Sequence, residues 1–237
     1  MPPINLGPSV LFTIGGFNFT TTFILQLLIS WSIAYMLIYV ANHWQKVPNK
    51  PQLILEMIFS AAYSQLDKIT RDHDKTKKIF PLIFTFFFFI LISNLFTLIP
   101  GLGAIKIGDI SLFRSVLADY SAVLMMTLIT VFLSQFLFIF YNGWLKYLKK
   151  WFNFSNPLAF ILGLMDIIGE LAKVLSLSFR LFGNVFAGEV LLLVMSTLAP
   201  FVVPLPFFAL TLFSSVIQAY VFALLSAIFI SSAMEIV

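Results

Sequence analysis

The sequence has 237 residues, of which 60% are apolar and only 10% charged, and its mean hydropathy is +1.02. A chain of this composition has too little polar surface to form a soluble globule, so we expect an integral membrane protein. The net charge of +4 and the pI near 9.3 do not indicate a nucleic-acid partner, because the basic residues gather in two segments beside apolar runs.

The first two predicted elements are a membrane span and a surface helix. Residues 19–41 form an apolar run long enough to cross about 30 Å of hydrocarbon. The first eighteen residues hold no Lys or Arg, so no signal-peptide n-region precedes this run and we expect a retained span. After breaks at Pro48 and Pro51, residues 51–69 place apolar side chains at helical spacing, which predicts an amphipathic helix on the membrane surface. The basic segment 68–78 predicts a solvated loop.

Two further spans follow this loop. Residues 79–99 are rich in phenylalanine and end at Pro100, and Asn94 is their one strongly polar interruption. We expect Asn94 to tie helices together rather than to carry ions. Residues 117–141 form the third span, with Asp119 at its mouth.

The last two predicted elements differ in kind from the first three. No proline interrupts residues 158–199, and 42 residues of continuous helix would extend about 63 Å, twice the hydrocarbon thickness. Such a helix must tilt or bend, and so, to a lesser degree, must residues 207–237. The prolines at 200, 204 and 206 predict a turn between them. The fold class is therefore all-α, with five membrane-embedded helices and one surface helix in a single membrane domain over 1–237.

Basic residues predict the orientation of these helices. Seven Lys or Arg fall within 42–78 and three within 142–157, but only two within 101–118. Because basic loops stay on the cytoplasmic side, the first two segments should face the cytoplasm or its organellar equivalent. The N-terminus is then outside and the C-terminus inside.

The long helix carries an unusual set of polar and charged side chains: Asp166, Glu170, Lys173, Arg180, Asn184 and Glu189. At about 100° per residue, Asp166, Lys173 and Arg180 share one stripe, which Asn184 joins, whereas Glu189 points to the opposite side. Ionisable groups at membrane depth are costly and usually mark an ion path. One arginine between two carboxylate regions is the layout expected of two aqueous pockets divided by a fixed positive charge.

Other interpretations of this stripe remain open. Glu170 and Lys173, three residues apart, can form an ion pair that lowers the cost of both charges without conducting ions. The whole set could neutralise itself inside a helix bundle that has no transport role. A stand-alone secondary transporter could use the same residue types to bind a solute, although it would favour broken helices or internal repeats. A structural membrane scaffold gives no reason for separated acids around an arginine.

The sequence predicts no chemistry beyond this stripe. There is no cysteine, no His or Cys spacing typical of a metal site, no glycine-rich nucleotide loop and no nucleophile triad. We therefore expect neither a cofactor nor a bound metal ion.

Residues 175–184, which read LSLSFRLFGN, and the following Ala-Gly-Glu at 187–189 resemble the signature of subunit a of the rotary F-type ATP synthase. Three other stretches resemble the same family in the same order, namely Glu56, residues 81–94 and residues 218–220. Together they cover the chain from about residue 47 to its end.

This resemblance implies that the long hairpin lies against a rotating ring of c subunits, each with a membrane-embedded carboxylate. Arg180 would meet each arriving carboxylate, favour its ionised form and block leakage between two half-channels. Other implied partners are b-type peripheral stalk subunits, the soluble ATPase sector, which would hold the nucleotide chemistry, and membrane lipid. The ion could be H⁺ or Na⁺, since the selective pocket would lie on the ring. A bacterial plasma membrane is the expected location, with a mitochondrial or chloroplast membrane as the alternative.

The resemblance also implies roles for single residues. By motif position Glu189 resembles the carboxylate of the outer half-channel and Asp166 the acid of the inner one. Asn184 and Gln218 resemble polar neighbours of the arginine, and Asp119 lies where the family often has an acid near the outer mouth. Gln218 shares a face of the last helix with Thr211, Ser214 and Ser215.

The register of the hairpin bears on the role of Gln218. A simple hairpin centred near Val203 would place Gln218 opposite Gly188, nearer Glu189 than Arg180. Its role beside Arg180 therefore requires an offset in register.

Overall fold

The computed structural model describes residues 10–14, 17–43, 49–98, 106–107, 110–111, 115–151, 157–198 and 203–235, and most of them are helical. The helices are α1 (Thr21–Asn42), α2 (Lys50–Thr70), α3 (His73–Thr97), α4 (Tyr120–Asn142), α5 (Trp144–Trp151), α6 (Pro157–Leu198) and α7 (Pro204–Ala233). A short 3-10 turn at Val116–Ala118 precedes α4. The predicted all-α membrane fold is confirmed.

Two short pairs of strands were not predicted. Strand β1 (Val10–Ile14) pairs antiparallel with β2 (Phe17–Thr20), directly before α1. Strand β3 (Lys106–Ile107) pairs antiparallel with β4 (Ile110–Ser111), between α3 and α4. Strand β2 takes the first two residues of the predicted span 19–41, and β3 and β4 lie between the apolar runs, so the hydropathy pattern gave no sign of either pair.

In the described part of the chain, four helices are long and apolar enough to cross a membrane. They are Thr21–Val40 in α1, His73–Phe96 in α3, Tyr120–Asn142 in α4 and Pro204–Ala233 in α7. The long helix α6 is not one of the four, and it carries five charged side chains. The chain is thus a multi-pass membrane protein, and the number of five embedded helices stays a prediction.

The predicted loop at residues 68–78 is wrong. Helix α2 continues to Thr70, and α3 begins at His73, well before the predicted start at residue 79. Asp72 explains the early start, because its Oδ1 accepts hydrogen bonds from the backbone N–H groups of Asp74 (2.9 Å) and Lys75 (3.4 Å). An aspartate in this position satisfies donors that the first helical turn leaves free.

Helices α5 and α7 also differ from expectation. The basic segment within 142–157 contains α5, in which the rings of Trp144, Tyr147 and Trp151 contact one another at helical spacing, tilted and with centroids 5.7–5.8 Å apart. Helix α7 begins at Pro204 rather than at residue 207, since proline is tolerated in the first turn of a helix. The predicted breaks at Pro48 and Pro100 and the turn residue Pro200 lie outside the described residues.

The chain forms two compact units. The first comprises Met1–Lys46, Phe88–Ala122 and Phe182–Ala219, and the second comprises Val47–Phe87, Val123–Leu181 and Tyr220–Val237. The single domain over 1–237 stays a prediction.

The second unit has a core built from α2, α3 and α7. Leu66, Ile79, Ile83, Ala227 and Ile230 are buried together in this core. Burial of each large aliphatic side chain stabilises the folded state by about 1.5–3 kcal/mol. The core therefore fixes the end of α7 against α2 and α3.

The turn between α2 and α3 is held by polar contacts. Arg71 adopts a left-handed conformation (φ 51°) at the end of α2. Asp67 pairs with His73 at 2.7 Å, and it also accepts a hydrogen bond from the buried Thr76 hydroxyl at 3.1 Å. The two helices consequently pack side by side, with the rings of Phe59 and Phe84 stacked at 4.1 Å.

Candidate functional site

Helix α6 is a single helix of 42 residues, and it carries every member of the predicted stripe. Asp166, Glu170, Lys173 and Arg180 belong to the second unit. The first unit contains the other predicted residues: Asn184 and Glu189 from α6, Asp119 before α4 and Gln218 from α7.

A cavity of about 610 Å³ with charged side chains in its lining lies in the second unit. Helix α6 contributes Asp166, Glu170 and Lys173 to its wall, and α5 contributes Lys146 and Lys149. Serine, glutamine and phenylalanine side chains of α4 and α7 complete the lining. The structure thus brings the two predicted acids of this end of α6 together around one space that is large enough for several water molecules.

Glu170 and Lys173 form the ion pair that their spacing allows. Lys173 Nζ lies 2.9 Å from Glu170 Oε1, and the two side chains are 37% and 11% exposed. The same ammonium lies 5.3 Å from the centre of the Phe229 ring. A charge that is mostly buried costs far less when it has an opposite charge beside it. The pair is observed, while ion conduction by these two residues stays a prediction.

Helix α5 lies close enough to Glu170 for the charge of this carboxylate to act on Tyr147. Burial raises the pKa of the Tyr147 phenol above its ordinary value, and the negative charge of Glu170 raises it further. The Tyr147 ring lies 6.1 Å from that of Phe138 on α4. Tyr147 therefore packs toward α4, and this contact orients α5 and its lysines.

Arg180 is exposed on the surface of α6. Its Nη2 donates a hydrogen bond of 3.2 Å to the hydroxyl of Ser176, one turn earlier on the same helix. Ser176 is also exposed, and so is Phe179. A guanidinium stays charged at any physiological pH, so this exposed face of α6 carries a permanent positive charge.

In the first unit, Glu189 contacts the segment that ends at Asp119. Glu189 Oε1 accepts a hydrogen bond of 3.2 Å from the backbone N–H of Ser115, immediately before the 3-10 turn. Asp119, directly after that turn, accepts hydrogen bonds from the hydroxyls of Thr22 (3.1 Å) and Ser121 (2.7 Å). Both predicted outer acids are therefore attached to the same short segment.

The register of α6 and α7 is visible in two contacts of the first unit. The Ser214 hydroxyl donates a hydrogen bond of 2.6 Å to Asn184 Oδ1, and Gly188 lies against Thr211. The simple register that placed Gln218 opposite Gly188 is therefore wrong. The offset is in the direction that the predicted role of Gln218 requires.

Gln218 is almost fully buried. Its side chain is only 7% exposed, and among the described residues its Nε2 has no hydrogen-bond partner. A buried amide donor without a partner costs about 1–3 kcal/mol.

Sequence reasoning missed four residues near these sites. The basic residues of the segment 142–157 predicted only its orientation, so Lys146, Lys149 and Tyr147 were not predicted as site residues, although aromatic and basic residues at helical spacing indicate an amphipathic helix. Ser115 could not have been found, since its contact to Glu189 uses the backbone. Among the described residues there is no cluster of three or more His, Asp or Glu side chains able to hold a metal ion.

Comparison with known proteins gives a consistent result. A family model described as ATP synthase A chain matches residues 20–231. The chain is 31% identical to the ATP synthase subunit a of Legionella pneumophila (strain Paris) over 231 residues, which cover 94% of this chain and 90% of that protein. It is 31% identical to the subunit a of Campylobacter hominis over 223 residues, with 93% and 92% covered. With the subunit a of Desulfosudis oleivorans it shares 33% identity over 230 residues, with 95% and 94% covered.

Proposed function

The chain belongs to the ATP synthase A chain family, and on that premise we propose that it is the stator subunit that carries protons to and from the c-ring through two offset half-channels. It is a multi-pass membrane subunit of a rotary ATP synthase and works in a complex with the other subunits. In this proposal the chain binds no nucleotide and performs no covalent chemistry. It couples ion flow to rotation.

The observation that carries the proposal is the exposed guanidinium of Arg180 on a helix of a membrane protein. A charged side chain at the bilayer centre costs at least about 2.5–3.5 kcal/mol, so it is rarely left facing lipid. The neutral hydroxyl of Ser176 offsets only part of this cost. A ring of partner subunits that each present a carboxylate would compensate the charge, and Arg180 would hold each carboxylate ionised as it passes.

The acids on either side of Arg180 support two separate half-channels. The cavity that holds Asp166 and Glu170 would be the inner half-channel. Glu189, joined to the segment that ends at Asp119, would belong to the outer one. A fixed cation between them would prevent a continuous proton path, because a proton entering the positive potential of an arginine is repelled.

The remaining assignments follow from the same proposal. Asn184 and Gln218 would be the polar neighbours of the passing carboxylate, and the buried Nε2 of Gln218 is a donor suited to it. Partners would be the c-ring, b-type peripheral stalk subunits and, through the stalks, the soluble ATPase sector. We place the chain in a bacterial plasma membrane, with the N-terminus outside and the C-terminus in the cytoplasm, because basic residues gather in and beside α2, at the start of α3 and in α5.

The test is Arg180→Lys in the complete enzyme, assayed in membrane vesicles by ATP-driven acidification. We expect pumping to be lost while ATP hydrolysis and assembly persist, because an ammonium poorly solvated beside lipid can lose its proton and cannot form a forked contact with a carboxylate. Arg71→Lys is the matched control, since Arg71 is exposed at the end of α2. Normal pumping by the Arg180→Lys enzyme would refute the proposal. Solute transport by the purified chain alone would instead support a stand-alone transporter.

A further inference from the structure

An apolar cavity of about 320 Å³ lies in the second unit between α2, α3 and α7. Aliphatic and aromatic side chains form almost its whole wall, with Phe80, Phe84 and Phe87 along α3, and none of the described residues that line it is charged. Ile58 and Tyr220 in the lining are 37% and 44% exposed, so the cavity opens to the surface of the helices. A wall without charges gives an ion no compensation, which separates this cavity from the proposed ion path.

The floor of the apolar cavity is part of the core of the second unit. Leu66, Ile83, Ala223 and Ala227 belong both to that core and to the lining. The core holds the three helices together, and the alanines of α7 have side chains too short to fill the space between α2 and α3. The cavity is therefore preformed, and a ligand that enters it needs little rearrangement of the helices.

Two lysines continue the lining at the end of the apolar cavity that is nearest the turn between α2 and α3. Lys77 precedes Phe80 by three residues and Phe84 by seven, which places all three on one stripe of α3. On α2, Lys68 follows the lining residue Ala61 by seven residues and shares its side of the helix. Both lysines are exposed, and neither has an ion-pair or hydrogen-bond partner among the described residues.

The carboxylates of the same turn leave these lysines uncompensated. Asp67 lies 2.7 Å from His73, and it points about 160° away from the lining residue Ile69 around α2. Asp72 accepts hydrogen bonds from the first turn of α3. Residues 67–78 hold five Lys or Arg against three Asp, so the net charge of this end is positive.

The length of the apolar cavity matches one leaflet of a bilayer. Ten residues separate Lys77 from Phe87, a rise of about 15 Å along the helix. One leaflet is half of a hydrocarbon core of about 30 Å and has the same thickness. Because α3 is long and apolar enough to cross the membrane from His73 onward, Lys77 belongs near the lipid headgroups and Phe87 near the middle of the bilayer.

We propose that this apolar cavity binds one anionic phospholipid, with an acyl chain between α2, α3 and α7 and the phosphate beside Lys68 and Lys77. The acyl chain contributes apolar contact along the wall. The lysines contribute the preference for a negative headgroup, since basic residues beside membrane helices attract anionic lipids. A zwitterionic lipid would make the same acyl-chain contacts without a net attraction to the lysines.

The experiment labels the site with a photoreactive lipid. The complete enzyme is placed in phosphatidylcholine vesicles that contain a small fraction of phosphatidylglycerol, or in parallel of phosphatidylcholine, with a diazirine in one acyl chain. On illumination the diazirine loses N₂, and the resulting carbene inserts into a nearby C–H bond. Mass spectrometry of the digested chain then identifies the labelled peptides.

Two variants separate the acyl-chain contact from the headgroup contact. Ala61→Phe puts a ring into the cavity, and Ser60→Phe is its control, because Ser60 is the exposed neighbour outside the lining. Lys68→Gln/Lys77→Gln removes the two charges. Lys50→Gln/Lys78→Gln is the matched control from the same two helices, since neither lysine continues the lining.

We expect labelling within residues 58–69 and 80–87, about tenfold stronger from phosphatidylglycerol than from phosphatidylcholine. Ala61→Phe should lower the labelling by both lipids about tenfold. The double glutamine variant should label equally with the two lipids, at the native level of phosphatidylcholine. Each single glutamine variant should lose about threefold of the preference, so the headgroup contact can be tested even where the double variant fails to assemble.

Four results would overturn the inference. The first two are equal labelling of the native enzyme by the two lipids and labelling that Ala61→Phe leaves unchanged. The third is an equal loss in either control, which would indicate a general surface effect. The fourth is labelling of exposed α1 residues with none in the cavity, as expected where another subunit covers it. None of these results bears on the Arg180→Lys test, so the proposed function stands or falls separately.

Discussion

Gly188 offers a sharp test of the packing between α6 and α7. A Cβ atom at this buried position would lie 2.8 Å from Thr211 Cγ2. Since carbon atoms pack at about 3.5 Å or more, an alanine requires a separation of about 0.7 Å between the two helices. Thr211 cannot easily turn aside, because its hydroxyl donates a hydrogen bond of 2.9 Å to the Phe207 carbonyl and a β-branched side chain has few rotamers in a helix.

The expected cost of Gly188→Ala follows from this geometry. Overpacking of a tight contact costs about 1–3 kcal/mol, while alanine in place of glycine gains up to about 1 kcal/mol in helix propensity. Gly183 provides the matched control on the same helix, because a Cβ there meets no atom within 4 Å. We therefore expect Gly188→Ala to be less stable than Gly183→Ala by about 1–3 kcal/mol.

A second substitution isolates the steric cause. Thr211→Ser removes Cγ2 but keeps the hydroxyl, and the next nearest atom to the new Cβ is then Oγ1 at 3.6 Å, an ordinary contact. The double variant Gly188→Ala/Thr211→Ser should recover most of the loss. The coupling energy, measured by denaturant unfolding of the four combinations in detergent, should be about 1–2 kcal/mol. A coupling energy near zero would refute the packing described here.

Three further substitutions test other contacts. Ser214→Ala removes the hydrogen bond to Asn184, and it should lower the free energy of unfolding by about 1 kcal/mol and the rate of proton pumping several-fold. Ser214→Thr keeps the hydroxyl and is the control. Lys173→Met removes the cation beside Glu170 and should lower the free energy of unfolding by about 1–2 kcal/mol, a value reduced for the partial exposure of the lysine. The double variant Lys173→Met/Glu170→Gln should regain this stability, because no unpaired carboxylate is left. The raised pKa of Tyr147 means that the folded chain holds the phenolic proton more firmly than the unfolded chain. Its contribution to stability is complete below pH 10.0 and is lost as the pH rises through the raised pKa, so Tyr147→Phe should flatten the fall in stability above pH 10.0, measured by unfolding at several pH values.

Local signals explain why the sequence predicted the long helices well. The predicted range 19–41 lies within two residues of α1 at each end, and 158–199 lies within one residue of α6. An apolar run fixes the middle of a membrane helix, and flanking prolines fix its ends, without information from elsewhere in the chain. The stripe on α6 was predicted from helix geometry alone, and two of its members, Asp166 and Lys173, line the same cavity.

Short polar segments were predicted less well because several local structures suit the same composition. The early start of α3 depends on one aspartate, Asp72, in a segment whose positive charges suggested a loop. Helix α5 is eight residues long, too short to be stable without its aromatic contacts to the bundle. The lysines that line the cavity are consequently placed by tertiary packing. In the sequence, only the aromatic residues at helical spacing between them indicate that this segment is a helix.

The hairpin register shows where prediction from sequence ends. Helices α6 and α7 both present long apolar surfaces without a repeat, so many alignments would bury similar areas and no periodic signal selects one. What selects the observed alignment is local fit, with Gly188 admitting the Thr211 methyl group and the Asn184 amide meeting the Ser214 hydroxyl. Both contacts exist only when two residues distant in sequence face each other. The Thr211 methyl group fills the space beside Gly188. Adding one methyl group at Gly188, or removing the one at Thr211, is therefore enough to test this alignment. The proposed position of Gln218 beside the passing carboxylate depends on the same alignment.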